Sequence, residues 1–462
     1  MHRQTRLLNT EELRMSDLEG RRVGIWGFGR EGRAALTAIS SRLRSARVRV
    51  YTPDPQKEVD EVARSSAEFV SGLDPVGLLR NCEVVIRSPG VSIHRPEIAD
   101  LRDAGVILTT GTNLWFAERK DSVPVVVVTG TKGKTTTASL VTHLAREAGT
   151  NVQLAGNVGK ALLSLIGERP PQLYVVELSS FQIADLMATP TVAIVLNLYR
   201  EHMDWHLTEE QYYEDKLRIV GRSDEVVPVL NAQDARLRSL GVGKHRTRWF
   251  GNAHGTDIRD GYFVDRHATK LARRSDLPLS GAHNALNACA ALEALAVVEL
   301  DRGDIGAALR TFRPPPHRLE VVSRAQKRLW INDSISTTPE STIAAIRSFP
   351  DQHVTVIVGG FERQQDYGKL AAALVDRGDC VAVVALPETG ARVIDSLTHV
   401  SCGSKVVAHM ASDLGEAVLL ASRLTPPGGV VLLSPAAPSF GVYRNFEQRG
   451  AHFRELVAEV VG

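Results

Sequence analysis

The chain has 462 residues, too many for one ordinary core, so about two to four domains are expected. Its 43% apolar and 23% charged content is that of a soluble globular protein, and a net charge of +2 excludes a general affinity for nucleic acid or acidic membranes. Cys82, Cys289, Cys380 and Cys402 form no CxxC pair, which argues against a zinc site or a disulfide framework and for a reducing cytoplasm. The opening MHRQTRLLNTEELRMSDLEG lacks the apolar stretch of a signal peptide, and no apolar run reaches the ~18 residues of a membrane helix.

Short β-branched runs alternate with longer Ala- and Leu-rich stretches, the pattern of parallel α/β architecture. In chain order, strands are expected at RRVGIWG, VRVYT, CEVVIRS, VPVVVVTG, LYVVELS, VAIVLNL, VTVIVGG, CVAVVALP and GVVLLSP. Continuous apolar runs of this kind belong to parallel strands covered on both faces. The first strand is followed by Gly27, Gly29 and Gly32, a formal dinucleotide fingerprint, with Asp54 in place for the acid expected further on. Alone, that motif points to a nicotinamide-dependent dehydrogenase with an accessory ATP site, or to glycines that merely let strand and helix approach. One domain boundary is expected at AERKDS, residues 117–122, and another at RPPP, residues 313–316, a stiff connection suited to a hinge. Three α/β domains result, over 1–120, 121–313 and 314–462.

The fourth predicted strand runs into TGTKGKTTT, residues 129–137, and then into an amphipathic helix. There, backbone N–H groups and a helix N-terminus converge on an anion, as in phosphate-binding loops. Lys134 would bring a point charge to the β- and γ-phosphates, and Thr135 or Thr136 a hydroxyl to Mg²⁺. Gly130 lies only three residues before Gly133, short of the general Walker spacing. The bland alternative is a glycine turn that joins a strand to a helix.

The compact TGTxGKT form resembles the Mur ligase family. The family's order continues with AGNVGKAL, VVELSSFQI, LNLYREHMDWH, YYEDKLRIV, GAHNALNACAALEAL, PHRLEVV, NDSISTTPEST and LSPAAPSFGVYRNFEQRGAHF, across nearly the whole chain. These segments are most similar to the MurD-like glutamate ligases. The resemblance implies a Rossmann-like N-terminal domain for a UDP-linked substrate, a central P-loop ATPase-like domain, and a Rossmann-like C-terminal domain for glutamate. It further implies a monomeric, cytoplasmic, ATP-dependent ligase of peptidoglycan precursor synthesis. Its substrate would be UDP-N-acetylmuramoyl-L-alanine, activated as an acyl phosphate.

Site residues follow from the same resemblance. Gly130, Thr131, Lys132, Gly133, Lys134, Thr135 and Thr136 would hold the ATP phosphates. Asn284, beside His283, would meet adenine; Arg318 would reach phosphate and Asp333 the ribose, with His317 next to them. Thr135, Glu177, His202 and Lys216 would hold Mg²⁺, Lys216 as a carbamate whose two oxygens suit a hard cation. Lys134, His202 and Lys216 are the implied catalytic groups, while His206 has no matching role. Phe28, Gly29, Arg30, Glu31, Ser88, Asn157, Ser179 and Gln182 would contact the UDP substrate. Read without the resemblance, Glu177 is a solvated charge at a strand end, Lys216 a surface lysine, His317 and Arg318 parts of a hinge turn, and Asp333 a helix cap.

Thr337, Arg363, Ser439 and Phe446 match residues around the incoming glutamate. Ligases of this type that add D-glutamate carry lysine directly after NDS, where this chain has Ile335, and a second lysine where it has Arg363. Losing an ammonium removes a charge-assisted contact to a carboxylate, and arginine does not reproduce lysine's geometry. The departure resembles the branch that adds L-glutamate. The same reaction with D-glutamate, or a folylpolyglutamate-synthase-like ligase, is the alternative.

Overall fold

The computed structural model describes residues 13–52, 61–119, 123–221, 223–239, 246–279, 281–300, 303–362, 365–400 and 406–462. Asp54, Arg363 and Cys402 lie outside them. All nine predicted strands form, embedded in an α/β architecture with parallel sheets. The first sheet holds β1 (Arg22–Trp26), β2 (Arg47–Tyr51), β3 (Glu68–Val70), β4 (Val84–Arg87) and β5 (Ile107–Thr109), all parallel, in the order β3-β2-β1-β4-β5. The second holds β6 (Val125–Thr129), β7 (Val152–Gly156), β8 (Leu173–Glu177), β9 (Val192–Val195), β10 (Val227–Asn231) and β11 (Arg248–Phe250), in the parallel order β11-β10-β9-β6-β8-β7. An antiparallel ribbon of β12 (Asp257–Arg259), β13 (Tyr262–Val264) and β14 (Lys270–Arg273) follows it.

The last sheet holds β15 (Glu320–Ser323), β16 (Leu329–Asn332), β17 (Val354–Gly360), β18 (Val381–Glu388), β19 (Val407–Met410) and β20 (Val430–Leu433). Its order is β15-β16-β20-β17-β18-β19, with only β15 antiparallel. Two compact units result, one from 1–277 with 285–312 and the other from 278–284 with 313–462. The first and second sheets thus share one unit. They are bonded directly, as by the Arg87–Asp185 ion pair at 2.8 Å, whose guanidinium is 1% exposed. No helix among the described residues is long and apolar enough to cross a membrane.

Strand order decides where chemistry can gather. In the first sheet the chain reverses direction between β1 and β4, and in the second β6 is flanked by β8 and β9. Such reversals open a crevice beyond the carboxyl ends of the strands, where loops diverge and ligands fit. Val125, Val126, Val127 and Val128 of β6 are buried, at roughly 1.5–3 kcal/mol each by transfer free energy, so the strand is a rigid base for the loop it carries.

Candidate active site

The phosphate loop leaves the carboxyl end of β6 and enters the helix Lys134–Glu147. Gly130 (φ 146°) and Gly133 (φ 88°) take conformations that side chains rarely adopt. A Cβ on Gly133 would also lie 2.6 Å from Asn287 Oδ1. Asn197 braces the turn from beyond β9: its Oδ1 accepts from Lys132 N at 2.8 Å, and its Nδ2 donates to Lys132 O at 3.1 Å. Lys134 Nζ donates to the carbonyls of Gly130 (3.1 Å) and Thr131 (2.9 Å), while Thr135 and Thr136 are buried in the first helical turn. Gly133→Ala should therefore cost about 1–3 kcal/mol of stability, as a left-handed non-glycine residue does. Chemical unfolding checks this against Gly221→Ala, a helical position with open space and ordinary φ, where no loss is expected.

Glu177 ends β8 and pairs in register with Val128 of β6, so it emerges beside the loop. Its Oε1 accepts from Asn157 Nδ2 at 3.0 Å, whereas its buried Oε2 has no hydrogen-bond partner. A charge-bearing oxygen buried in this state needs a cation or a donor from a ligand. His202 follows β9 and caps the short helix Met203–His206 in a left-handed conformation, φ 62°, with its ring 4.7 Å from that of Phe181. Displaced water pushes its pKa down and Glu201 pulls it up, but Lys134 and Lys216 add to the fall, leaving it at about 4. The imidazole is therefore neutral and free to offer a lone pair.

Lys216 departs furthest from a surface reading. It is 1% exposed in the helix Glu209–Gly221, with Nζ donating to Gly130 O at 3.1 Å and lying 5.0 Å from the Tyr212 ring centre. Burial first, then the charge of Lys134, drive its pKa well below the ordinary lysine value, against Glu201 and Glu177. Its amine is thereby disposed to be neutral, the form that attacks carbon dioxide. Lys132 Nζ pairs with Glu201 Oε1 at 2.6 Å. Second-sheet loops thus bring Lys132, Lys134, Thr135, Glu177, His202 and Lys216 to one end of the sheet.

At the switch point of the first sheet, Ser88 Oγ donates to Gly27 O at 2.8 Å, closing the glycine turn. A Cβ on Gly32 would lie 2.1 Å from that same carbonyl, so close strand–helix approach is real here. Phe28 is buried edge-on against Phe69, ring centres 5.0 Å apart, which leaves only its backbone for a ligand. Gly29 is exposed, and the Arg30 guanidinium donates to Gly156 O of the second sheet. Glu31 keeps a buried Oε2 without a hydrogen-bond partner, and burial raises its carboxyl pKa despite Arg30. Ser179 and Gln182 engage each other, with Ser179 N donating to Gln182 Oε1 at 3.0 Å.

In the second unit, Asp333 follows β16, its oxygens accepting from Leu319 N (3.1 Å) and Ser434 Oγ (2.8 Å). Burial raises its pKa to about 6, with Ser336, Ser434 and Arg318 opposing. Arg318 has a buried Nε with no hydrogen-bond partner. His317 Nδ1 lies 2.9 Å from Asn332 Nδ2, and its ring centre 6.2 Å from that of Phe446. Ser439 is buried, Thr337 is half-buried with its carbonyl accepting from Gln365 Nε2 (3.0 Å), and Asn284 is buried in the first turn of the helix Ala282–Val297.

Comparison with known proteins decides the family. The Mur ligase middle domain matches residues 128–295, and the Mur ligase glutamate ligase domain matches residues 317–437. A Xanthomonas euvesicatoria pv. vesicatoria protein named UDP-N-acetylmuramoyl-L-alanine--L-glutamate ligase is 38% identical over 96% of both chains. The chain belongs to the Mur ligase family. A Xylella fastidiosa protein of the same name is 40% identical, again over 96% of each chain. Among solved structures, the MurF ligase of Thermotoga maritima in complex with ADP shares the Mur ligase fold at TM-score 0.61 and 20% identity, over 96% of this chain and 99% of that one.

Within this Mur ligase, sequence reasoning passed over several groups that the site uses. Asn197, Glu201, Tyr212 and Arg449 all stand inside motifs quoted above, so their segments were visible even where their roles were not. Tyr212 OH is 2.8 Å from Thr131 Oγ1 of the phosphate loop. Arg449, 1% exposed, donates to Ser334 O (2.8 Å) and to the carbonyls of Ala437 and Pro438, tying the loops after β16 and β20 together. His94 carried no local signal at all.

Proposed function

We infer that this ligase uses ATP to join L-glutamate to UDP-N-acetylmuramoyl-L-alanine, making a peptidoglycan precursor. The observation that carries the substrate assignment is end-to-end similarity to relatives bearing that name, over 96% of both chains. The alanine carboxylate attacks the γ-phosphorus of ATP, ADP leaves, and an acyl phosphate forms. The glutamate amine then attacks the acyl carbon and loses a proton, and phosphate departs from the tetrahedral intermediate.

Lys134 is placed to stabilise negative charge on the transferring phosphoryl group, with the backbone of residues 130–136 orienting the phosphates. The unpartnered Oε2 of Glu177 and the neutral ring of His202 fit a cation. With Thr135 and the carbamate of Lys216, they are the residues we assign to Mg²⁺. Bound magnesium supplies charge neutralisation at the phosphoryl oxygens. The unpartnered oxygen of Glu31 and the closed turn at Ser88 support a polar nucleotide end at the first sheet, which we divide functionally as residues 1–120. Arg318 and Asp333 are proposed for ATP, and Thr337, Arg363, Ser439 and Phe446 for glutamate, within 314–462. We take the ligase to act as a cytoplasmic monomer, and its small net charge argues against binding to nucleic acid or acidic membranes.

Phosphate release from ATP should require both UDP-N-acetylmuramoyl-L-alanine and L-glutamate; release independent of the UDP substrate would overturn the reading. Carbamylation of Lys216 converts its amine, with carbon dioxide and loss of one proton, into an anion. Protein equilibrated with ¹³C-bicarbonate should show one carbamate carbon resonance that Lys216→Arg abolishes. A resonance unchanged in that variant would assign the carbamate elsewhere.

A further inference from the structure

We propose that His94 is a positioning residue for the ligase reaction, an inference that rests on the function proposed above. It ties the loop after β4, which carries Ser88, to the helix that carries Lys216. His94 Nε2 donates to Asp215 Oδ2 at 2.9 Å, and His206 Nδ1 donates to the same oxygen at 2.7 Å. Ser180 Oγ donates to His206 Nε2 at 2.9 Å, and Gln211 Nε2 to Asp215 Oδ1 at 3.1 Å. His206 and Asp215 are 0% and 2% exposed, His94 18%.

Asp215 and Lys216 are consecutive on one helix, about 100° apart around its axis, so they reach to different neighbours. Lys216 bonds to the phosphate-loop carbonyl of Gly130, and Asp215 to the loop of the first sheet. The helix is held between the two loops assigned to ATP and to the UDP substrate. Two further bonds pin that second loop, Trp205 Nε1 to Pro89 O at 3.0 Å and Ser92 Oγ to Trp205 O at 2.6 Å. They end on the short helix that follows His202. Of these three bonds the one from His94 ends beside Lys216, and it passes the loop's position directly to the carbamate-bearing helix. Both oxygens of Asp215 and both ring nitrogens of His206 are thus taken up by hydrogen bonds to His94, Gln211, Ser180 and each other, without an ion.

The histidine has a second role to separate, since its ring packs edge-on against Trp205 with centres 5.7 Å apart. His94→Phe keeps a ring and removes the donor; His94→Gln keeps a donor at similar reach and removes the ring. Once wild-type ligase activity is established, the two variants are compared in kcat, in KM for each substrate, in the ¹³C-carbamate signal and in melting temperature. His94→Phe should lower kcat on the order of 10–100-fold, the effect of a displacement of about 1 Å, and weaken the carbamate signal. His94→Gln should retain most of both. The reverse order would mean that ring packing is the role and would overturn the proposal. So would two variants equal to wild type, two equally inactive variants, or an equimolar transition metal that co-purifies with wild type and is lost from His94→Phe. An inactive wild type would instead refute the proposed function.

Discussion

Lys134→Ala should leave a folded protein whose ATP turnover falls on the order of 10²–10³-fold, the effect of removing one preorganised charge from a developing anion. The fold should survive because the lysine is only half-buried and its ammonium bonds to the carbonyls of Gly130 and Thr131 within its own turn. The loop keeps its shape through Asn197 and through Tyr212 at Thr131, neither of which involves the Lys134 side chain. Steady-state phosphate release with matched melting curves tests both halves. Undiminished turnover would mean that the loop does not hold the transferring phosphate. A collapsed melting temperature would mean that the ammonium serves the fold first.

With D-glutamate in place of L-glutamate, turnover should fall on the order of 10²–10⁴-fold. Inverting the stereocentre exchanges the directions of the two carboxylates, and a site built to bond both leaves its own polar groups unpaired when one is misplaced. The chemical basis at hand is Ile335, which offers no ammonium where the D-adding type of site has one. Its backbone N donates to His317 O at 3.2 Å, so the position is fixed while its side chain stays apolar. Assays with the two enantiomers in parallel measure the ratio directly. Equal rates, or preference for the D-form, would show that the loss of lysine here does not set stereochemistry.

Much of the fold was legible because the buried parallel strands are continuous apolar runs; VPVVVVTG and VTVIVGG admit little else. Strands of three residues, such as Glu68–Val70 and Ile107–Thr109, are too short to show a period, and only their pairing with β2 and β4 reveals them. The phosphate loop was legible because its chemistry lies in one contiguous stretch. Lys216 was readable only by resemblance: a charged residue on a helix normally marks the wet face, and nothing in YYEDKLRIV tells that Gly130 covers it. The Phe28 ring belongs to the core, a point the adjacent glycines obscured. The His94–Asp215 bond joins residues 121 apart, beyond the reach of any local pattern.

The order β9-β6-β8 at the centre of the second sheet has a consequence for a chain that is still folding. Thr135, Glu177 and His202 come to the same end of the sheet only when three strands scattered along the sequence have paired. Contacts of that sequence separation are closed late, after local helices have formed. A polypeptide caught half-assembled, or a fragment ending before β9, can hold the glycine turn yet lacks its flanking groups. The molecule should therefore gain the power to split ATP only at the end of folding, and unfinished chains should not drain the nucleotide pool.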